Sequence, residues 1–161
     1  SFKLSLISDI PKKTIENKEL GFTEFILENS QDSLSIEIKK TERSQTHFNL
    51  YGLSLENDDP GIVYTSIGVN GAKTSSYLRN KKFVNQLKTI NPDLVIFCIG
   101  INDAYYDNFN SKEYADNYEK LMQWMQSVNP NVEFLFVTNN DSYFKRKYPN
   151  KRVFKAREVM I

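Results

Sequence analysis

Three short polar segments carry the residue types that could do chemistry. They are Ile67-Gly68-Val69-Asn70-Gly71-Ala72-Lys73-Thr74-Ser75, Gly100-Ile101-Asn102-Asp103 and Thr138-Asn139-Asn140-Asp141, and each follows an apolar run. Glycine lets backbone N–H groups approach a ligand, and an asparagine amide donates without a charge to desolvate. Such loops put donor groups beside a bound ligand. Other chemistries are poorly provided for. The sequence holds one His, His47, so any imidazole base or metal ligand must be that residue. Cys98 stands alone, which excludes an internal disulfide and a cysteine-based zinc site. The Gly68-x-x-Gly71 spacing matches neither the phosphate loop nor the GxGxxG fingerprint. Taken singly, each of the three segments also reads as an ordinary cap or turn.

The elements that must position these loops differ between the two parts of the chain. Residues 1–57 alternate with period two. Phe2, Leu4 and Leu6 share one face, Phe22 to Leu27 reads as another strand, and Leu34, Ile36 and Ile38 alternate with polar residues. Asn29 to Asp32 is a short polar link suited to a hairpin, and Phe48 to Leu55 reads as one more strand with a bulge at Gly52. This pattern predicts antiparallel, sandwich-like β structure. Residues 58–161 change rhythm after the turn cluster Asn57-Asp58-Asp59-Pro60-Gly61. Ile62 to Ile67 and Val132 to Val137 read as strands, and Leu94 to Ile99 as a strand buried on both faces. Between them, a helix is predicted over Tyr77 to Ile90. A second follows a Ser111 cap, with a stripe of Tyr114, Tyr118, Leu121, Met122, Met125 and Val128. This β-α-β order predicts an α/β domain with a parallel sheet, and such sheets bind ligands at the carboxyl ends of their strands.

Gly-Ile-Asn-Asp directly after a buried strand, with a Gly-containing loop one helix upstream, resembles the SGNH/GDSL hydrolase superfamily over roughly residues 61–161. The resemblance implies a flavodoxin-like sheet flanked by helices and no cofactor or metal. It also implies an oxyanion hole formed by the Gly71 N–H and the Asn102 side-chain amide, supported by Asn70, Gly100 and Asp103. Asn139 and Asn140 are candidate binding residues from the third loop. The superfamily's Gly-Asp-Ser nucleophile and Asp-x-x-His base motifs do not occur. Ser8-Asp9 has the reverse order and no Gly, and His47 reads as a strand-surface residue.

Two readings follow. In the first, the chain is part of a longer esterase, similar to O-acetylesterases of polysaccharide or peptidoglycan with a β-sandwich inserted between the first two motifs. The missing motifs would then flank the chain, in keeping with an opening Ser1 and an unfinished Val159-Met160-Ile161. An acylated carbohydrate is the expected partner, and the resemblance implies export. In the second, the chain is a degenerate relative that binds carbohydrate without hydrolysing it, with Tyr51, Tyr64, Tyr77, Tyr105, Tyr106 and Trp124 available for stacking. Lys and Arg number 21 against 20 Asp and Glu, a net charge of +1, which argues against nucleic-acid binding by bulk charge. The runs Lys39-Lys40 and Lys145-Arg146-Lys147 read as solvated faces. No signal peptide is apparent, and apolar runs are too short to span a bilayer. Unpaired sheet edges would leave room for self-association.

Overall fold

The structure, a computed structural model, describes residues 2–161. The chain divides into two compact units, Ser1–Tyr64 and Thr65–Ile161.

The first unit holds two antiparallel pairs. Strand β1 (Lys3–Leu6) pairs with β4 (Ile36–Lys39), and β2 (Lys13–Asn17) pairs with β3 (Phe22–Ile26). The β1–β4 register sets Leu4 opposite Ile38 and Leu6 opposite Ile36, so the predicted alternation becomes a set of cross-strand apolar pairs. The β2–β3 turn is closed by the Gly21 N–H donating to Asn17 O at 2.8 Å and by the Leu20 N–H donating to Asn17 Oδ1 at 2.9 Å. Gly21 has φ +77°, a conformation that costs glycine nothing. Two expectations change here. Asn29 to Asp32 does not close a hairpin between its neighbours, because β3 folds back on β2 while β4 runs beside β1. Phe48 to Leu55 forms no strand.

The second unit contains α1 (Thr74–Leu78), α2 (Phe83–Ile90), β5 (Leu94–Phe97), α3 (Ser111–Gln126), β6 (Glu133–Phe136), the short strands β7 (Tyr143–Phe144) and β8 (Tyr148–Pro149), and α4 (Arg152–Val159). Strands β5 and β6 are parallel, in the register Leu94–Glu133 to Phe97–Phe136, with α3 as the crossover helix. Among the described residues every buried one lies in this unit. Tyr114, Tyr118, Leu121 and Met125 recur at helical spacing and form the buried stripe of α3. Phe97 fills the space between that stripe and β6, with ring centroids 5.2 Å from Tyr118, 5.9 Å from Phe134 and 5.3 Å from Phe136. Burying a side chain such as Leu121 contributes roughly 1.5–3 kcal/mol.

Four predictions for residues 58–161 need correction. Ile62 to Ile67 is not a strand, and Ile62 is 96% exposed. A strand needs a hydrogen-bonded neighbour, and this segment has none among the described residues. Strand β5 is buried on one face only. Val95 and Phe97 point into the core while Leu94 and Ile96 are exposed, because helices cover one side of the β5–β6 pair. The Tyr77 to Ile90 helix is two helices. Asn80 breaks it by offering Oδ1 to the Lys82 N–H at 3.0 Å, a local alternative to the helical bond. Finally, Asn110 rather than Ser111 caps α3, accepting from the N–H groups of Lys112 and Glu113 at 2.9 and 3.1 Å.

The join between β5 and its loop depends on Gly100. Its φ is +127°, outside the range of side-chain-bearing residues. A Cβ there would also collide with the Tyr114 hydroxyl and lie 2.8 Å from Asn139 Nδ2. Gly100→Ala should therefore destabilise the chain by about 2–5 kcal/mol, combining backbone strain with overpacking. A urea unfolding curve with an unchanged midpoint would refute this.

Candidate active site

The loop after β5 is built by the core beneath it. The hydroxyls of Tyr114 and Tyr118 both donate to Ile99 O, at 3.1 and 2.7 Å. That double bond fixes the carbonyl just before Gly100. The Ala104 N–H then returns to Gly100 O at 3.0 Å, winding residues 100–104 into one compact turn. This turn projects Asn102 and Asp103 toward the loop that precedes α1. Burial holds the Tyr114 and Tyr118 hydroxyls well above the usual phenol range, so both remain protonated donors.

The two loops are joined by side chains. Asn102 Nδ2 donates to Ala72 O at 2.9 Å. Asp103 accepts from the Thr74 N–H at 3.1 Å and from Thr74 Oγ1 at 2.7 Å. Thr74 is fully buried, and its Oγ1 in turn accepts from Asn117 Nδ2 of α3 at 3.1 Å. Asp103 is thus an acceptor at the start of α1, where orphan N–H groups need one. Burial raises its carboxyl above the ordinary value of 3.8, while the Thr74 bonds oppose that rise.

Gly71 sits at the tip of the first loop with φ +77°, in a turn closed by the Ala72 N–H donating to Val69 O at 3.0 Å. Asn70 and Gly71 are the two central residues of that turn. Among the described residues the Gly71 N–H has no acceptor. One Asn102 amide hydrogen is held by Ala72, and the other is available. The two loops joined by the Asn102–Ala72 bond therefore each carry an uncharged donor.

The third loop is held by α4. Arg157 donates from Nε to Asn139 O at 2.8 Å and from Nη2 to Asp141 Oδ1 at 2.6 Å. Asn139 is buried against Gly100, and Asn140 is exposed. Ser8 and His47 both lie in the first unit and serve local structure. Ser8 Oγ accepts from the Ser35 N–H at 2.9 Å, and His47 Nδ1 contacts Thr46 Oγ1 at 3.0 Å. Among the described residues no group of three metal-ligating side chains forms.

Sequence reasoning missed several supports of this site. The hydroxyls of Tyr114 and Tyr118 were hidden because their rings fit the apolar stripe. Asn117, Arg157 and Asn150 gave no signal, since their partners lie far along the chain. Asn150 Nδ2 donates to Ala104 O at 2.9 Å and so braces the Asn102 turn from below.

The sequence profile of the GDSL-like lipase/acylhydrolase family matches residues 32–160, most of the chain. The chain belongs to this family. The match begins before the boundary at Tyr64, so β4 and the irregular segment after it fall inside the family region. No curated protein and no solved structure gives a match.

Two tests address the loop junction. Thr74→Val keeps the shape but leaves Asp103 and Asn117 short of a partner. It should cost about 1–3 kcal/mol in unfolding free energy, and a negligible cost would refute the bridge. The raised Asp103 carboxyl carries a pH signature. Its contribution to stability is fully present below the unfolded pKa and is lost as pH rises through the higher folded value. The unfolding free energy of the unaltered chain, taken relative to Asp103→Asn, should therefore fall as pH rises from below the ordinary carboxyl value of 3.8 through the raised folded value. A difference that rises over that window would mean the carboxyl is stabilised as an anion.

Proposed function

We propose that this chain carries the oxyanion half of a serine-esterase active site, in a protein that removes acyl groups, acetyl foremost, from carbohydrate. The observation that supports this reading is the bond from Asn102 Nδ2 to Ala72 O, which ties the Asn102 turn to the loop that carries the unpaired Gly71 N–H. Attack on an ester carbonyl places negative charge on its oxygen. Donors fixed before the reaction stabilise that charge more than they stabilise the ground state. Asp103 is turned toward Thr74 and positions the loop. Gly100 allows the turn, Asn70 shapes the tip around Gly71, and Asn139 and Asn140 form the neighbouring wall.

In this reading the nucleophilic Ser and the His base come from polypeptide outside residues 1–161. The β5–β6 pair is part of a flavodoxin-like sheet, and the β-rich first unit belongs to an inserted sandwich. The bare apolar face of β5 and β6, with Leu94, Ile96 and Leu135 about half exposed, supports a larger sheet layer. Export of the protein fits a glycan substrate outside the cell. A second reading, sugar binding without hydrolysis, is favoured by the exposed rings of Tyr105 and Tyr106.

The test is acetyl-ester hydrolysis by the full-length protein and its Asn102→Ala variant. Loss of the donor should lower kcat by about 10²–10³-fold. An unchanged rate removes Asn102 from the oxyanion hole. Glycan binding with no hydrolysis by the full-length protein selects the second reading.

A further inference from the structure

An open cleft of about 480 Å³ lies beside the Asn102 turn, lined by Tyr105, Tyr106, Asp107, Phe144, Lys145 and Arg152. Its size is that of a small-ligand site. The aromatic wall is built rather than incidental. Tyr105 packs on Phe144 with centroids 5.3 Å apart, and edge-on to Tyr106 at 5.6 Å. The Arg152 guanidinium lies 4.7 Å from the Phe144 ring centroid. Its nitrogens donate to Ala104 O at 3.2 Å and to Tyr105 O at 3.1 Å, and pair with Asp107 at 2.9 Å. Arg152 is therefore spent on holding the wall, and it neutralises the one carboxylate of the cleft.

The opposite rim is the β7–β8 hairpin. Lys147 N–H donates to Phe144 O at 2.9 Å, and the two residues between, Lys145 and Arg146, have φ of +49° and +60°. Phe144 pairs with Tyr148, so Lys145, Arg146 and Lys147 form a three-residue hairpin loop whose first two residues take a left-handed conformation that favours Asn and Gly. Here it carries cations instead, and Lys145 is one of the residues lining the cleft. Among the described residues Lys145 has no acceptor, and neither do Arg146 and Lys147. On the side of the first loop, Lys73 Nζ sits 3.7 Å from the Tyr106 ring centroid.

We propose that this cleft binds an anionic sugar unit of the glycan, with the rings of Tyr105, Tyr106 and Phe144 against the sugar and the Lys145 ammonium on its acid group. The inference rests on the esterase reading for the location of the glycan and extends it to substrate class. The rings offer apolar faces to the C–H side of a pyranose, and the tyrosine hydroxyls meet its polar edge. The one unpaired cation of the cleft, Lys145, selects an acidic sugar over a neutral one.

The experiment measures binding of the chain, at low salt, to oligogalacturonate, to its fully methyl-esterified form and to a sulfated galactan oligosaccharide. An acidic probe should bind about three- to tenfold more tightly than the neutral ester, and the preference should weaken with added salt. Lys145→Asn keeps a residue that tolerates the left-handed turn and should abolish the preference, while Lys145→Arg should retain it. Tyr105→Leu should weaken acidic and neutral probes alike. Which of the two acidic probes binds better identifies the carboxylate or the sulfate as the recognised group. Equal binding of acidic and neutral probes overturns the proposal, as does no binding, or a preference unchanged in Lys145→Asn. Ester hydrolysis is read separately. An active esterase without acid preference defeats this inference alone, and acid-selective binding without hydrolysis defeats the esterase reading alone.

Discussion

The Asp103 carboxylate holds the candidate site together. It lies on a turn set by the β5 strand and reaches across to the first turn of α1, where it accepts from both the backbone and the side chain of Thr74. Asn117 extends the contact to α3. Three elements distant in sequence therefore meet at one half-buried carboxylate. The price of desolvating it is visible in its raised proton affinity. That cost is tolerated because the alternative, orphan N–H groups at a helix start facing a buried threonine, would also be unfavourable. This contact and the Asn102–Ala72 bond together tie the Asn102 turn to the loop that carries Gly71.

A second constraint lies one layer deeper. Ile99 O accepts two tyrosine hydroxyls from α3, and the chain can then turn only through a glycine. The tyrosine rings belong to the core, while their hydroxyls shape the loop above. Packing and site geometry are thus carried by the same two side chains. Buried polar groups of this kind contribute most when every partner is present.

The candidate loops were legible in the sequence because Gly-Ile-Asn-Asp follows an apolar run, with a Gly-containing loop one helix upstream, an arrangement that resembles the family. Gly71, Gly100, Asn102 and Asp103 could be named, and the α3 stripe of Tyr114, Tyr118, Leu121 and Met125 emerged at its observed spacing. What escaped was contact between remote residues. Alternation at Phe2 to Leu6 and Leu34 to Ile38 announced strands but could not choose their partners, so the pairing of β1 with β4 was not foreseen. Apolar content at Ile62 to Ile67 signalled a strand, yet a strand exists only with a hydrogen-bonding neighbour. The continuous apolar run of β5 spoke of burial on two faces, whereas the described residues cover one. The interruption at Asn80 is a local competition between side chain and backbone that hydrophobic periodicity does not register.

The Arg157 clamp has a consequence for biosynthesis. Arg157 lies eighteen residues after Asn139, whose carbonyl it binds. A chain emerging from the ribosome can form the Asp103–Thr74–Asn117 junction once α3 is out, but the Asn139 loop must wait for α4. The wall of the site is therefore the last part of this unit to order during synthesis. A chain whose α4 has not yet left the ribosome would therefore lack the clamp on its third loop.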